Sequence, residues 1–371
     1  MPLVHLESHA ALLGDFSEGA PRPIDAVIVP AGRPVNHLRF AAGLADELST
    51  ELVLMCWRGG ADAAAFAEQA LREHPDLSWH ALHIPEDHRS TFLPPTASTP
   101  PDTRDWRHGP LSTKRNLALI LARTAGWRTI LLIDDDIEEI TAELAQTAAN
   151  RLGSAAAIGI TIANWPDNSV VCHANRITGG QQDVFVGAPA LVLDVNADLT
   201  FFPRVYNEDW LFSYDLLSAG QVGRIDRASQ LRYDPFADLR RAEAEEFGDL
   251  VAEGLMASLH DSWSSRPPSD ASYWRDFITA RHVFIDRIRN RSTQDPASAG
   301  QEIRESLTAA QQRLGTITPE ACASFVIRWR HDVQCWRARF DSIVTASDLP
   351  AAATSLGLTL RSRSIVSHLA R

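Results

Sequence analysis

Over roughly its first 240 residues the chain alternates short, nearly unbroken apolar runs with longer stretches whose apolar positions recur at helical spacing. Residues 24–30 (IDAVIVP) form a β-branched run closed by Pro-Ala-Gly-Arg-Pro, the pattern of a buried strand entering a turn. NHLRFAAGLADEL then reads as a helix, ELVLMCW as a second strand and GGADAAAFAEQALREH as a second helix. Further along, LSTKRNLALILARTAG predicts a helix with Ser112 or Thr113 at its N-cap, followed by the strand TILLI. IEEITAELAQTAANRL is read as a helix, and AAIGITI and ALVLDV as strands that complete the set. This alternation predicts an α/β fold with a mostly parallel central sheet and crossover helices.

Two stretches break the rhythm. Residues 85–112 are rich in Pro, Ser, Thr and Asp and show no periodicity, as expected of a functional loop. From about residue 240 the pattern becomes helical, and SSRPPSD interrupts it. The expected organisation is an N-terminal extension over 1–23, an α/β domain over 24–264 and a helical C-terminal region over 265–371.

Composition narrows the setting. Hydrophobic residues make up 45% and charged residues 22%, enough apolar surface for a large core. No apolar run reaches the ~18 residues of a membrane span. The N-terminal stretch lacks a basic segment followed by an apolar one, so no membrane span and a cytoplasmic location are expected. Cys56, Cys172, Cys322 and Cys335 form no CxxC pair, which argues against a zinc ribbon or disulfide framework. A formal charge of −12 argues against a nucleic-acid partner. The only lysine among 35 basic residues is Lys114, inside a segment of chemical interest.

That interest begins at Asp134-Asp135-Asp136, directly after the apolar run Ile130–Ile133. Adjacent carboxylates raise one another's pKa unless a cation or hydrogen-bond donors compensate. Open α/β sheets bind ligands at the carboxyl ends of their strands, and hard cations choose carboxylate oxygen. Strand alternation predicts Asp134 and Asp136 on one side as the working pair, with Asp135 structural on the other. The competing reading is a helix N-terminus, where acidic residues are also favoured.

Three further segments carry chemistry. Gly109–Asn116 opens a helix in which Lys114 and Arg115 would offset a diphosphate and Asn116 would bond to a sugar or to the acidic loop; a solvated basic turn is the alternative. Glu208-Asp209 opens another helix, where one carboxylate would serve as a general base and capping is the plainer role. Gly179-Gly180-Gln181-Gln182 and an expected strand at 184–186, ending in Gly187, suggest close backbone approach or a simple turn.

Four of these segments resemble, in order, the motifs of GT-A-fold glycosyltransferases, nearest to the family-2-like nucleotide-sugar transferases. VIVPAGRPVNHLRFAAGLA is similar to their VIxPxxNRPxxLxxAL, and GPLSTKRNLAL to GxxxARNxG. ILLIDDDI resembles ILFLDxDD, and FPRVYNEDWLFSYDLLSAGQ resembles FPxxxxEDxxFxxRLxxxG. The match spans about residues 24–235, and its specificity lies in the order of the four motifs.

The resemblance implies a Rossmann-like GT-A domain and a metal-dependent transfer from a nucleoside-diphosphate sugar to an acceptor hydroxyl. Asp209 would be the base of an inverting displacement, and Glu208 would help position it. Pro30, Ala31, Arg33, Asp62, Lys114, Arg115, Asn116, Asp134 and Asp135 would bind the donor. Asp136 would hold Mg²⁺ or Mn²⁺, with His260 as the candidate late histidine ligand. Where the family carries an Asp-rich turn after its second strand, this chain reads Cys56-Trp57-Arg58-Gly59-Gly60-Ala61-Asp62, which leaves the nucleotide open.

Several alternatives stay open at this level: a retaining transferase of the glucosyl- or mannosyl-glycerate type, a sugar-nucleotide nucleotidyltransferase, and a non-catalytic GT-A-like binding protein. The acceptor would be a small molecule or a glycan. Trp274, Trp329 and Trp336 suggest core packing or a homodimer interface in the C-terminal region.

Overall fold

The computed structural model describes residues 5–57, 65–66, 69, 72–85, 88, 92–98, 109–164, 169–183, 185–186, 189–260, 267–294 and 300–363. The predicted helix over 59–74 falls largely outside these residues, and so does the nucleotide-binding candidate Asp62.

The expected α/β architecture is present, organised around a single mixed sheet. Its strands are β1 (Ala26–Val29), β2 (Glu51–Cys56), β3 (Trp79–His83), β4 (Thr129–Ile133), β5 (Ile137–Glu138), β6 (Ala157–Ile162), β7 (Ala190–Asp194), β8 (Val222–Gln230) and β9 (Thr359–Arg363). They lie in the order β5-β8-β6-β7-β4-β1-β2-β3-β9. β1 runs parallel to β2 and β4, β2 to β3, and β6 to β8, whereas β7 is antiparallel to both β4 and β6. The chain therefore moves one way from β1 to β2 and β3, then returns to the other side of β1 with β4. Such a reversal opens a crevice at the strand ends, here between β1 and β4.

Two apolar layers cover the sheet. Val27, Val29, Leu131 and Ile133 face one layer, which includes Ala41, Leu44 and Ala45 of α1 (Arg39–Glu47) and Ala145 of α4 (Ala142–Asn150). Ile28, Ile130 and Leu132 face the other, which includes α3 (Gly109–Ala125), α5 (Val170–Ile177), α6 (Glu208–Ser218) and α7 (Arg240–His260). The alternation is the side-chain period of a strand covered on both faces. A short turn of helix, α2 (Pro95–Ser98), lies within the predicted irregular loop.

The C-terminal helices α8 (Ala271–Gln294), α9 (Gln301–Leu314), α10 (Pro319–Asp341) and α11 (Leu349–Ser355) extend the second layer. Trp274, Trp329 and Trp336 are fully buried in that same core. Beyond these helices the chain returns to the sheet, where β9 pairs antiparallel with β3 and covers an edge. Among the described residues no helix is long and apolar enough to cross a membrane.

Several local expectations change. The helix predicted from Ile137 starts at Ala142, capped by Thr141 Oγ1, which accepts from the Leu144 amide at 3.1 Å. Residues 137–138 instead form β5 against β8. The expected strand at 184–186 is not one: Phe185 and Val186 are buried in a loop, and Val184 and Gly187 lie outside the described residues. That loop packs so closely on β6 that a Cβ on Gly159 would come within 2.6 Å of Val186 Cγ1.

Candidate active site

The acidic triplet sits where β4 ends. Ile133 is the last strand residue, the Asp134 amide donates to the Pro189 carbonyl at 2.9 Å, and residues 135–136 form a turn. The next α-helix begins only at Ala142, so the triplet is not a helix cap. The turn also overturns the predicted alternation, because consecutive side chains change faces regularly only in extended backbone. Asp134 points toward Arg115, whereas Asp135 and Asp136 both meet Arg33.

Asp135 acts on the turn after β1. Its Oδ2 accepts from the amides of Gly32 and Arg33, each at 2.7 Å, and its Oδ1 accepts from Arg33 Nη1. Arg33 Nη2 also lies 2.8 Å from Asp136 Oδ2, which takes a further bond from Gln230 Nε2 at 3.0 Å. Burial opposes the Arg33 charge, but Asp136 and Asp135 outweigh it and raise its pKa. Lys114 is buried beneath the same turn and donates to the Ala31 carbonyl at 2.6 Å. Burial pulls its pKa down, with Asp135 pulling the other way.

Arg115 joins the two acidic motifs. Its Nη2 donates to both oxygens of Asp134 at 2.9 Å, and its Nη1 donates to Glu208 Oε1 at 2.6 Å. The guanidinium is buried, which opposes its charge, yet Asp134, Glu208 and Asp209 together raise its pKa. Burial likewise pushes the Asp134 carboxyl up from its ordinary value, against the pull of Arg115. Glu208 is pushed up to about 8, chiefly by burial, with Arg115 resisting and Asp209 adding to the rise. The solvated basic turn is thus excluded for Lys114 and Arg115, since both are buried and bound to protein partners.

Asn116 has a different role from the one expected. It is fully buried, its Nδ2 donates to the Phe202 carbonyl and its Oδ1 accepts from the Phe202 amide, both at 2.8 Å. Each end of the amide is bound to the backbone and the side chain is closed off from solvent, so Asn116 clamps the segment before Glu208.

Glu208 and Asp209 open α6, where the helix dipole favours negative charge. Asn207 precedes them in a left-handed conformation (φ 56°), which asparagine tolerates better than most residues. Its Nδ2 donates to Asp249 Oδ1 on α7 at 2.9 Å. A cavity of about 120 Å³ lies beside this turn, lined by Arg115, Asp134, Glu208, Asp209, Cys172 and Glu253 among others. Cys172 on α5, with Asp249 and Glu253 on α7, was not anticipated. Other polar residues on the same helices, such as Glu245, Glu246 and His173, are buried as well, so the sequence does not single these three out.

The structure places His260 away from the role expected for it. It ends α7, and its Nε2 shares a 3.1 Å hydrogen bond with His9 Nδ1. Among the described residues, the group of three His, Cys, Asp or Glu side chains whose ligating atoms lie within 4.8 Å of one another is His5–Cys172–Glu253. His260 and the triplet do not form such a set; Asp134 is paired with Arg115, and Asp135 and Asp136 with Arg33.

No protein-family profile matches the sequence, and no curated protein matches it. Among solved structures, the chain is similar to the mannosyltransferase PcManGT from Pyrobaculum calidifontis, in complex with GDP-Man and Mn²⁺. The identity is 13%, the alignment covers 86% of this chain and 90% of that one, and the TM-score is 0.45. It is also similar to M. tuberculosis glucosyl-3-phosphoglycerate synthase at 11% identity, with 71% of this chain and 90% of that one covered and a TM-score of 0.40.

Proposed function

We propose that this chain is a metal-dependent glycosyltransferase that moves a sugar from a nucleoside-diphosphate sugar to an acceptor hydroxyl. The observation that carries the reading is the convergence of Asp134 and the Glu208–Asp209 pair on Arg115 and one cavity, beside the crevice between β1 and β4.

A glycosyl donor has two ends with opposite needs. Its diphosphate needs cations, and Arg33 and the triplet lie at the strand ends to meet that end. Its anomeric carbon needs an activated acceptor. Asp209 lines the cavity and is the base that takes the acceptor hydroxyl proton as that oxygen attacks. The bond from the anomeric carbon to the diphosphate oxygen breaks, and its electron pair leaves with the nucleoside diphosphate. Glu208, held by Arg115, fixes the start of α6 and thereby the direction of Asp209. Ligand sites for whole cofactors run to roughly 300–1,000 Å³. The cavity is far smaller, so it suits the sugar end, with the nucleotide lying along the crevice.

The donor set fits a hard divalent ion, since Asp134 and Asp136 supply carboxylate oxygen. Arg33 already brings positive charge to Asp136 and keeps 45% of its side chain exposed, with room to turn toward a phosphate. Asp136, with Asp134, would hold Mg²⁺ or Mn²⁺, which when bound neutralises the leaving diphosphate.

The test is a thermal-shift and calorimetric screen of UDP-, GDP-, ADP- and dTDP-sugars with and without Mn²⁺. One donor class should bind in a metal-dependent way, and Asp136→Ala should erase that dependence while the fold survives. Donor binding with unchanged Mn²⁺ dependence in Asp136→Ala would show the metal assignment to be wrong.

A further inference from the structure

On the far wall of the cavity, the N-terminal segment meets α5 and α7 through a cluster that the transfer reaction does not use. The His5 imidazole stacks on Phe284, with ring centroids 3.7 Å apart, so its plane is fixed. Its Nε2 lies 2.9 Å from Gln182 Oε1, an oxygen that can only accept, so Nε2 carries the proton and Nδ1 presents its lone pair. That Nδ1 is buried without a hydrogen-bond partner, on a side chain only 3% exposed. It lies 3.7 Å from Glu253 Oε2.

Glu253 is equally buried, at 1% exposure, and its Oε1 also lacks a partner. His9 Nε2 holds the other oxygen at 3.0 Å. The Cys172 thiol completes the group, and one ligating atom from each of the three residues falls within 4.8 Å of the others. Two orphaned polar atoms converging on a thiol in the interior call for an explanation, because unpartnered buried groups are costly.

We propose that His5 Nδ1, Cys172 Sγ and a Glu253 oxygen form a site for Zn²⁺, distinct from the acidic triplet. The donor set of nitrogen, sulfur and oxygen is the one this borderline-soft ion takes, at about 2.0–2.3 Å per bond. Binding deprotonates Cys172, and its proton passes to solvent. One thiolate and one carboxylate then balance the ion's double charge around a neutral imidazole. Gln182 fixes the tautomer of His5, and His9 orients the Glu253 carboxylate, as outer-shell partners do at metal sites. This reading also gives Gln182, in the Gly-Gly-Gln-Gln segment, a definite task. The ion ties residues 5–9 to α5 and α7, and so firms the cavity wall on which Asn207 rests through Asp249.

The test uses the full-length protein, with metal content and Co²⁺ substitution as readouts. Wild type should retain about one zinc per chain through dialysis. Its Co²⁺ form should show a thiolate-to-cobalt charge-transfer band in the near ultraviolet. The band should vanish in Cys172→Ser, persist in Cys335→Ser and persist in Asp136→Ala, which separates this site from the triplet. Gln182→Leu should weaken Zn²⁺ binding roughly tenfold or more. A wild-type Co²⁺ form without that band, or a band that survives Cys172→Ser, overturns the proposal.

Discussion

Nη1 of Arg115 donates to Oε1 of Glu208 across 2.6 Å inside the protein. The bond joins the helix α3, which follows the long irregular segment, to the first turn of α6. Burial raises the Glu208 carboxyl to about 8, and the Arg115 guanidinium beside it keeps it from rising further. Replacing Arg115 by Met should therefore cost about 3–5 kcal/mol, the usual penalty for stripping one partner from a buried ion pair. The sign with pH follows from the raised value. Stability linked to protonated Glu208 is fully present below its unfolded pKa near 4.5 and is lost as pH rises through about 8. Without Arg115 that loss deepens, so urea titrations should give a larger deficit at pH 9 than at pH 5. An equal deficit at both pH values would count against the pairing.

Asp209 lines the cavity together with Glu208 but, unlike Glu208, is partly exposed. Asp209→Asn keeps the size and most hydrogen bonds of the side chain but cannot accept the hydroxyl proton. Turnover should fall about 10²–10⁴-fold, the range for losing a general base. Donor affinity, measured by calorimetry with Mn²⁺, should stay within about twofold of wild type. Retained turnover in this variant would remove Asp209 from the chemistry.

Particular residues show what was readable in advance. The strands ending at Val29 and Ile133 are legible because both faces are buried, and continuous apolar runs follow from that. β3 was harder, since WHALH mixes two histidines into a buried strand, and His80 is held there by Glu51. β9 was invisible because TLRSR, an edge strand, has only one apolar residue. The acidic triplet stands out in the sequence by its charge, but its geometry does not, because a turn at 135–136 replaces the extended backbone that strand alternation assumes. Cys172 and Glu253 were missed because their importance lies in a contact with His5, more than 160 residues away in the chain.

His173 provides a pH test at a different place. Burial, reinforced by Arg241 and Arg176, pushes its imidazole down to about 3, and its Nε2 lies 3.3 Å from the Tyr233 hydroxyl. The folded value lies below the unfolded value near 6.5, so the stability linked to neutral His173 is complete above pH 6.5. It is lost as pH falls toward 3, at about 1.4 kcal/mol per pH unit. His173→Gln removes this titration, so the stability gap between wild type and variant should narrow by about 1 kcal/mol between pH 6.5 and 5.5. A gap that stays constant over that range would refute the assignment.

Gly248 constrains the turn that carries Asp209 by simple steric exclusion. A Cβ at this position of α7 would come within 2.5 Å of the Tyr206 amide nitrogen and also strike the Tyr206 carbonyl oxygen. Both are backbone atoms, so no side-chain rotation relieves the overlap, and either the helix or the 206–209 turn must move. In an ordinary helix Gly→Ala stabilises by ~1 kcal/mol, because alanine loses less backbone freedom on folding. Here the overlap should reverse the sign, with a net cost of about 1–3 kcal/mol, as for overpacked cores. The turn is the weaker element, since Asn207 already holds a left-handed conformation fixed by its bond to Asp249. Its displacement would carry Asp209 with it. Gly248→Ala should therefore lower kcat by an order of magnitude or more while leaving donor affinity nearly unchanged, because a shift of ~1 Å in a reacting group can cost about 10²-fold. Gly254→Ala on the same helix is the control, since the atoms nearest its Cβ would belong to the Trp274 and Phe277 side chains rather than to backbone. It should lower stability while sparing kcat. If both variants lose stability and neither loses turnover, the contact at Tyr206 does not govern the position of Asp209.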